Sequence, residues 1–290
     1  RRRLEPVGAS LWGSSAKQGH AVWTGDRGPS VEQLDPAPAG VQLGLASRPL
    51  LIGARQLGKD VVLSCKKKAY NVIEIDYPSI DISNIDSVRK TVNSCRPSVI
   101  INCAAFTAVD DCETQSETAF SVNAAGPENI AKCAESTGAK LIHISTDYVF
   151  DGKSSVPYVE TDTTSPLTVY GKSKLEGELR ITSILEQHQI YRIAWLYGLY
   201  GNNFVKTILK HAHIKKEKNE PLKVVNDQYG TPTSTIEVCN QITAMIDKDI
   251  YGVFHATCEG FCTWYDFTCE ILKRYNIDVE VIPCRSDEYP

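Results

Sequence analysis

A doubly wound α/β fold built on a parallel sheet is what this sequence predicts. Two observations carry the prediction. From Pro49 onward, short apolar runs alternate with segments of helical periodicity, and two of those runs, "PSVIINCAA" and "AKLIHIS", are almost continuously apolar. Alternating β and α segments call for parallel strands joined by crossover helices. A strand that is apolar throughout is one covered on both faces.

Taken in order, "RPLLIGA" reads as a short strand. "QLGKDVVLSCKKKA" reads as a helix with Leu57, Val61, Val62 and Cys65 on one stripe. "YNVIEID" is a second strand ending on Asp76, "NIDSVRKTVNSC" a helix, and "PSVIINCAA" the third strand. "SETAFSVNAAGPENIAKCAESTG" is helical, with a break into two segments expected near Gly126-Pro127, and "AKLIHIS" follows as a strand. Beyond residue 195 the alternation loosens. "GNNFVKTILKHA" and "TIEVCNQITAMI" read as helices, "LKVVND" and "GVFHATC" as strands. This predicts a main domain over 50–195 and a smaller C-terminal lobe over 196–290, interleaved with it.

Residues 1–49 differ from the rest. They hold no Ile, Phe, Tyr, Asn or Cys and are dense in Gly, Pro, Ala, Ser and Arg. Such a segment has little to bury, which predicts disorder and suggests a fusion, an extension or a misread frame.

Composition excludes several classes. The 290 residues carry a formal net charge of −4, which gives no reason to expect a nucleic-acid partner. Lys66-Lys67-Lys68 and Lys215 to Lys218 read as solvated helix faces, and Lys140 and Glu160 to Asp162 as exposed charges. No apolar run approaches the roughly 18 residues a membrane helix needs. The ten cysteines form no CxxC pair and no zinc spacing, so free thiols in a reducing cytoplasm are expected.

The chemistry concentrates in two stretches. "KLIHISTDYVFDG" (140–152) runs an apolar strand straight into Ser145, Thr146, Asp147 and Tyr148. In open parallel sheets ligands bind beyond the carboxyl ends of strands, so these side chains stand where a site belongs. In "PLTVYGKSKLEGE" (166–178), Tyr170 and Lys174 are four apart and share one helix face. A lysine ammonium near a phenol lowers its pKa, fitting the tyrosine to protonate a carbonyl oxygen that receives hydride. Thr146 offers that oxygen a second hydrogen bond.

With these stretches in place, the sequence resembles the dTDP-4-dehydrorhamnose reductase family of the extended short-chain dehydrogenase/reductases. The resemblance rests on "INCAAFTAVDDCE" (101–113), "STDYVFDG" (145–152), "SPLTVYGKSKLEGE" (165–178), "RIAWLYG" (192–198), "GNNFVKTIL" (201–209) and "NDQYGTPT" (226–233), in the family's order and spacing. It implies a Rossmann-type domain with a substrate-binding lobe, and reduction of the C4 ketone of dTDP-4-dehydro-L-rhamnose by NADPH or NADH. It implies Tyr170 as proton donor, with Lys174 holding the nicotinamide ribose and tuning Tyr170, and Thr146 completing the catalytic set. Thr146, Asp147 and Trp195 are implied at the sugar. Gly53, Gln56, Leu57, Asp76, Asp81, Ile82, Ala105, Phe106 and Thr107 are implied at the cofactor, together with Tyr170 and Lys174. An acid at Asp76 favours NADH, because it repels a 2′-phosphate. Phe106 stands where the family usually has Tyr or His. Some members pair through an acidic, metal-bridged surface, which adds Mg2+ and a homodimer to the expectations, although no residue here is assigned as a metal ligand.

The sequence departs from the family in two places. The glycine loop reads Gly53-Ala54-Arg55-Gln56-Leu57-Gly58 against a family pattern of "GANGQLG": one residue is missing and Arg55 replaces the middle glycine, where a side chain crowds a pyrophosphate. The chain also stops at "CRSDEYP", where the family continues, so a truncated lobe is expected. Two other readings stay open: a non-catalytic regulatory subunit like the β subunit of methionine adenosyltransferase, and another nucleotide-sugar epimerase or dehydratase.

Overall fold

The computed structural model describes residues 47–289; the reading of the leader therefore lies outside the described residues, apart from its last three. The chain runs β1 (Pro49–Ile52), α1 (Gln56–Lys67), β2 (Ile73–Ile75), α2 (Ile85–Cys95), β3 (Val99–Asn102), α3 (Val109–Thr114), α4 (Ser116–Phe120), α5 (Gly126–Thr137), β4 (Lys140–Thr146), α6 (Val169–Ile184) and β5 (His188–Ile193). It continues through β6 (Leu196–Tyr197), α7 (Phe204–Glu217), β7 (Leu222–Val225), β8 (Tyr229–Gly230), β9 (Thr233–Ser234), α8 (Thr235–Met245), β10 (Gly252–His255), β11 (Cys262–Thr263), α9 (Trp264–Arg274) and β12 (Val281–Cys284).

Six strands form one sheet in the order β10-β5-β4-β3-β1-β2, every neighbouring pair parallel. The pleat divides its apolar side chains between two cores. Leu50, Ile52, Ile100, Leu141 and Ile190 pack with Val88 and Val92 of α2, Ile130 of α5 and Ile181 of α6. Leu51, Ile101, Ile142 and Tyr191 pack with Val61, Val62 and Cys65 of α1 and Val238, Cys239 and Ile242 of α8. A third cluster joins Ile208 and Ala212 of α7, Leu222 and Val224 of β7, and Ile271 and Leu272 of α9, with β12 parallel to β7. Between β7 and α9 the chain returns to the main sheet to supply α8 and β10.

Two local expectations fail. Gly126-Pro127 does not break the helix: a π turn over Ser121–Ala125 joins α4 to α5, and Gly126 keeps helical dihedrals (φ −58, ψ −56). Pro127 falls in the first turn of α5, where a missing N–H is tolerated. Lys140 is not an exposed charge. It is buried, and its ammonium donates to the carbonyls of Ile246 (2.9 Å) and Lys248 (2.6 Å) just past α8, so burial is offset by oxygens the helix end leaves unbonded. Glu160 is half-buried and accepts the backbone N–H of His255 at 2.9 Å.

One ion pair ties three elements together inside the fold. Arg192 of β5 donates to Glu178 of α6 (Nη2 to Oε2, 2.7 Å), and Glu178 also accepts the Ser145 hydroxyl from β4. Both charged side chains are almost fully buried. Glu178→Ala leaves Arg192 charged and unpaired, so it is expected to cost about 3–5 kcal/mol and to lower Tm by on the order of 10 °C. A thermal melt shifted by less than about 2 °C would contradict a structural role for this pair.

Candidate active site

β1 has β2 on one side and β3 on the other, so the connections leaving β1 and β3 diverge and open a crevice at the carboxyl edge. The crevice is a cleft of about 640 Å³. Every candidate residue lines it: Gly53, Gln56 and Leu57 after β1; Asp76, Asp81 and Ile82 after β2; Ala105, Phe106 and Thr107 after β3; Thr146 and Asp147 at the end of β4; Tyr170 and Lys174 on α6; and Trp195 after β5.

The shortened glycine loop keeps its two outer glycines in use. Gly53 has φ +87, and a Cβ there would lie 2.5 Å from the Ala104 nitrogen. A Cβ on Gly58 would lie 2.2 Å from the Gly53 carbonyl oxygen, so its absence lets α1 start against the strand. Arg55 is the residue preceding α1, its N–H bonded to the Gly53 carbonyl at 2.9 Å. Its side chain lies beside Asp76 (Nε to Oδ2, 3.6 Å) and is 79% exposed. Asp76 and Asp81 also serve turns: Asp76 accepts the N–H of Tyr77 at 2.8 Å, and Asp81 accepts from the N–H and hydroxyl of Ser83.

At the other end, Thr146 donates its hydroxyl to Asp147 (3.0 Å) and accepts the N–H of Tyr148 (3.2 Å), with the Tyr170 phenol close enough to feel it. Burial pushes the Asp147 carboxyl up to about 6, against the opposing pull of Thr146 and two backbone N–H groups. Burial likewise pushes the Tyr170 phenol above its usual range, with Thr146 opposing and the Asp147 charge adding to the rise. Lys174, one turn along α6 from Tyr170, is anchored on the strand side. Its amine donates to the Ile144 carbonyl at 2.7 Å and meets His143 Nε2 at 3.3 Å.

That contact continues a buried polar chain. The Ala104 N–H donates to Asn102 Oδ1 (3.1 Å), so Asn102 Nδ2 donates to His143 Nδ1 (3.1 Å). Nε2, on the other side of the His143 ring, is the atom facing Lys174. Asn102, His143 and Lys174 are all buried. Burial brings Lys174 down to about 8, partly offset by Glu178 and Cys103, and holds His143 well below its usual value, with Lys174 adding to the drop.

Two residues that hold the cleft's lining in place escaped sequence reasoning. Asn123 sits in the π turn, fully buried. Its amide accepts the Phe106 N–H (2.8 Å) and donates to the Phe106 carbonyl (3.0 Å) and the Ser173 hydroxyl (3.1 Å). It thereby fastens the loop after β3 to α6, a use of π turns common near functional sites. A lone Asn within the apolar run "FSVNAAG" was the available signal. Trp264, opening α9, stacks on Trp195 with ring planes 5° apart; nothing local in the sequence marks this partner. Trp195 itself stands at φ +43, a conformation held by that packing.

Among the described residues no three His, Cys, Asp or Glu side chains gather as a metal cluster, which leaves the Mg2+ expectation without support. No helix among them is long and apolar enough to cross a membrane. Comparison with known proteins adds identity to this geometry. The family description "RmlD substrate binding domain" matches residues 48–290. The dTDP-4-dehydrorhamnose reductase of Escherichia coli (strain K12) is 43% identical over 211 residues, 71% of this chain and 69% of that protein. A crystal structure of a dTDP-4-dehydrorhamnose reductase from Clostridium acetobutylicum superposes with a TM-score of 0.80 at 46% identity, covering 84% of this chain and 85% of that one. One from Bacillus anthracis, in complex with NADP, gives 0.81 at 37%, covering 84% and 86%. A cleft of this lining at the carboxyl edge of this sheet, together with matches of this extent, shows that the chain belongs to the dTDP-4-dehydrorhamnose reductase family.

Proposed function

We infer that this chain reduces the C4 ketone of dTDP-4-dehydro-L-rhamnose to give dTDP-L-rhamnose, a precursor of surface polysaccharide, using NADPH or NADH. The observation that carries the reading is the meeting of Thr146, Asp147 and Tyr170 at the end of β4, in the same cleft as Gly53 and Lys174. The residues fit a nicotinamide dinucleotide. Gly53 takes φ +87 and lets the loop after β3 close against the end of β1, and no acidic side chain stands in the first turn of α1 to repel a pyrophosphate. When bound, that cofactor supplies the hydride.

The chain's own residues supply the proton and the orientation. Tyr170 is held protonated by burial, which is the form reduction needs, and gives its hydroxyl proton to the oxygen of the ketone as it becomes an alcohol. The Thr146 hydroxyl, turned from Asp147, donates to the same oxygen. Asp147 accepts hydroxyls of the sugar, and Trp195, backed by Trp264, forms the wall against which the sugar ring lies. Lys174, fixed by Ile144 and His143, is placed to hold a ribose hydroxyl on the same helix face as Tyr170. We assign α7, β7, α9 and β12 to the substrate lobe. The ten free thiols support a reducing, cytoplasmic setting. Retention of Thr146, Tyr170 and Lys174 in one cleft favours a reductase over a regulatory subunit, which needs no proton donor.

Tyr170→Phe is expected to lower kcat by about 10²–10⁴-fold while dinucleotide binding is retained, read by single-turnover kinetics and a binding titration; unimpaired turnover would remove Tyr170 from the chemistry. Asp147 generates a pH prediction of the opposite sign to a salt-bridged acid. Its folded-state pKa of about 6 lies above the value of about 4 in an unfolded chain. At pH 7 the folded state therefore carries the burial penalty of the charge, and the penalty fades as pH falls from 6 toward 4. Asp147→Asn should stabilise the fold at pH 7 by on the order of 2 kcal/mol and so raise Tm there, lose that gain below about pH 4, and raise the KM for the sugar nucleotide. Equal melting of the two proteins at pH 7 would show that the carboxylate is not desolvated.

A further inference from the structure

The rim of the cleft between β1 and β2 carries two carboxylates, Asp76 and Asp81, and one cation, Arg55. Asp81 is committed to the Ser83 turn through Oδ1. Asp76 gives Oδ1 to the Tyr77 N–H and turns Oδ2 toward Arg55. At 3.6 Å, with the arginine side chain 79% exposed and the aspartate 34%, that ion pair is long and wet. Pairs of this kind contribute little, so the guanidinium gives up the contact readily. Its backbone is not free in the same way: the N–H is bonded to Gly53, and the residue sits immediately ahead of α1. The side chain is thus a mobile cation on a fixed mount, reaching the carboxyl end of β2.

That position is where a dinucleotide site distinguishes a ribose 2′-hydroxyl from a 2′-phosphate. A lone acid there accepts the hydroxyl and repels the phosphate. An acid with an arginine alongside behaves differently, since a guanidinium presents paired N–H donors matched to phosphate oxygens. We propose that Arg55 is the specificity-determining residue of the dinucleotide site, exchanging Asp76 for the 2′-phosphate so that this chain binds NADPH more tightly than NADH. The proposal rests on the reading of the cleft as a nicotinamide dinucleotide site, and it reverses the expectation drawn from Asp76 alone. The same residue that shortens the glycine loop then supplies a phosphate contact at its edge.

The test is a calorimetric titration of the full chain and of Arg55→Ala with NADPH and with NADH. The full chain should bind NADPH at least about tenfold more tightly, as the loss of one charge-assisted pair implies. Arg55→Ala should erase most of that difference by weakening NADPH, leaving NADH within about twofold; its retained NADH binding also reports that the variant is folded. Equal affinity of the full chain for both dinucleotides, or an unchanged affinity ratio in Arg55→Ala, overturns the proposal. Binding of neither dinucleotide by the full chain overturns the dinucleotide reading itself, and the two failures are told apart by whether NADH binds.

Discussion

A parallel sheet covered by helices on both faces has only its strand ends available for chemistry, and this molecule is organised around that constraint. Along β1, β3 and β4 the backbone is buried throughout, so side chains with work to do appear where the strands stop. Gly53, Cys103 and Asp147 each follow directly on a strand end, and they border one cleft. The helices that cover the sheet then deliver the rest. α6 is the clearest case: Ile181 packs into the core while Tyr170 and Lys174, nearer its start, face the cleft.

Beneath the cleft, polar groups have been admitted to the interior in connected sets. Arg192, Glu178 and Ser145 form one; Asn102, His143 and Lys174 form another; Asn123 bridges Phe106 and Ser173. Each set links strand ends or loops to α6, and each contains a group that would be expensive to bury alone. Their common effect is to hold the helix that carries Tyr170 and Lys174 at fixed height against β4. The positions of Tyr170 and Lys174 are therefore set by buried hydrogen bonds as well as by the apolar core.

What could be seen in the sequence, and what could not, follows from the range of each interaction. The alternation of strands and helices is local, and so is the four-residue spacing of Tyr170 and Lys174. The stripe of Leu57, Val61, Val62 and Cys65 on α1 is equally local, and all four are buried as that periodicity requires. The π turn was not legible, since a single slip from one hydrogen-bond register to the next leaves the apolar pattern almost unchanged. Lys140 looked like a surface charge because its carbonyl partners come from beyond α8. His143 sat unmarked inside an apolar strand, although it is a buried neighbour of the Lys174 amine. Trp264 joins Trp195 only after the chain has passed through the third core and back to the sheet.

The stacked pair Trp195 and Trp264 has an optical meaning as well. These are the two tryptophans of the described residues, so the indole absorption of this part of the chain is concentrated at one spot on the edge of the cleft. Two rings held nearly parallel couple their electronic transitions, and anything laid against Trp195 alters both at once. The wall of the cleft is in this sense its own chromophore: light emitted by Trp195 and Trp264 reports on that edge of the cleft, with no label attached.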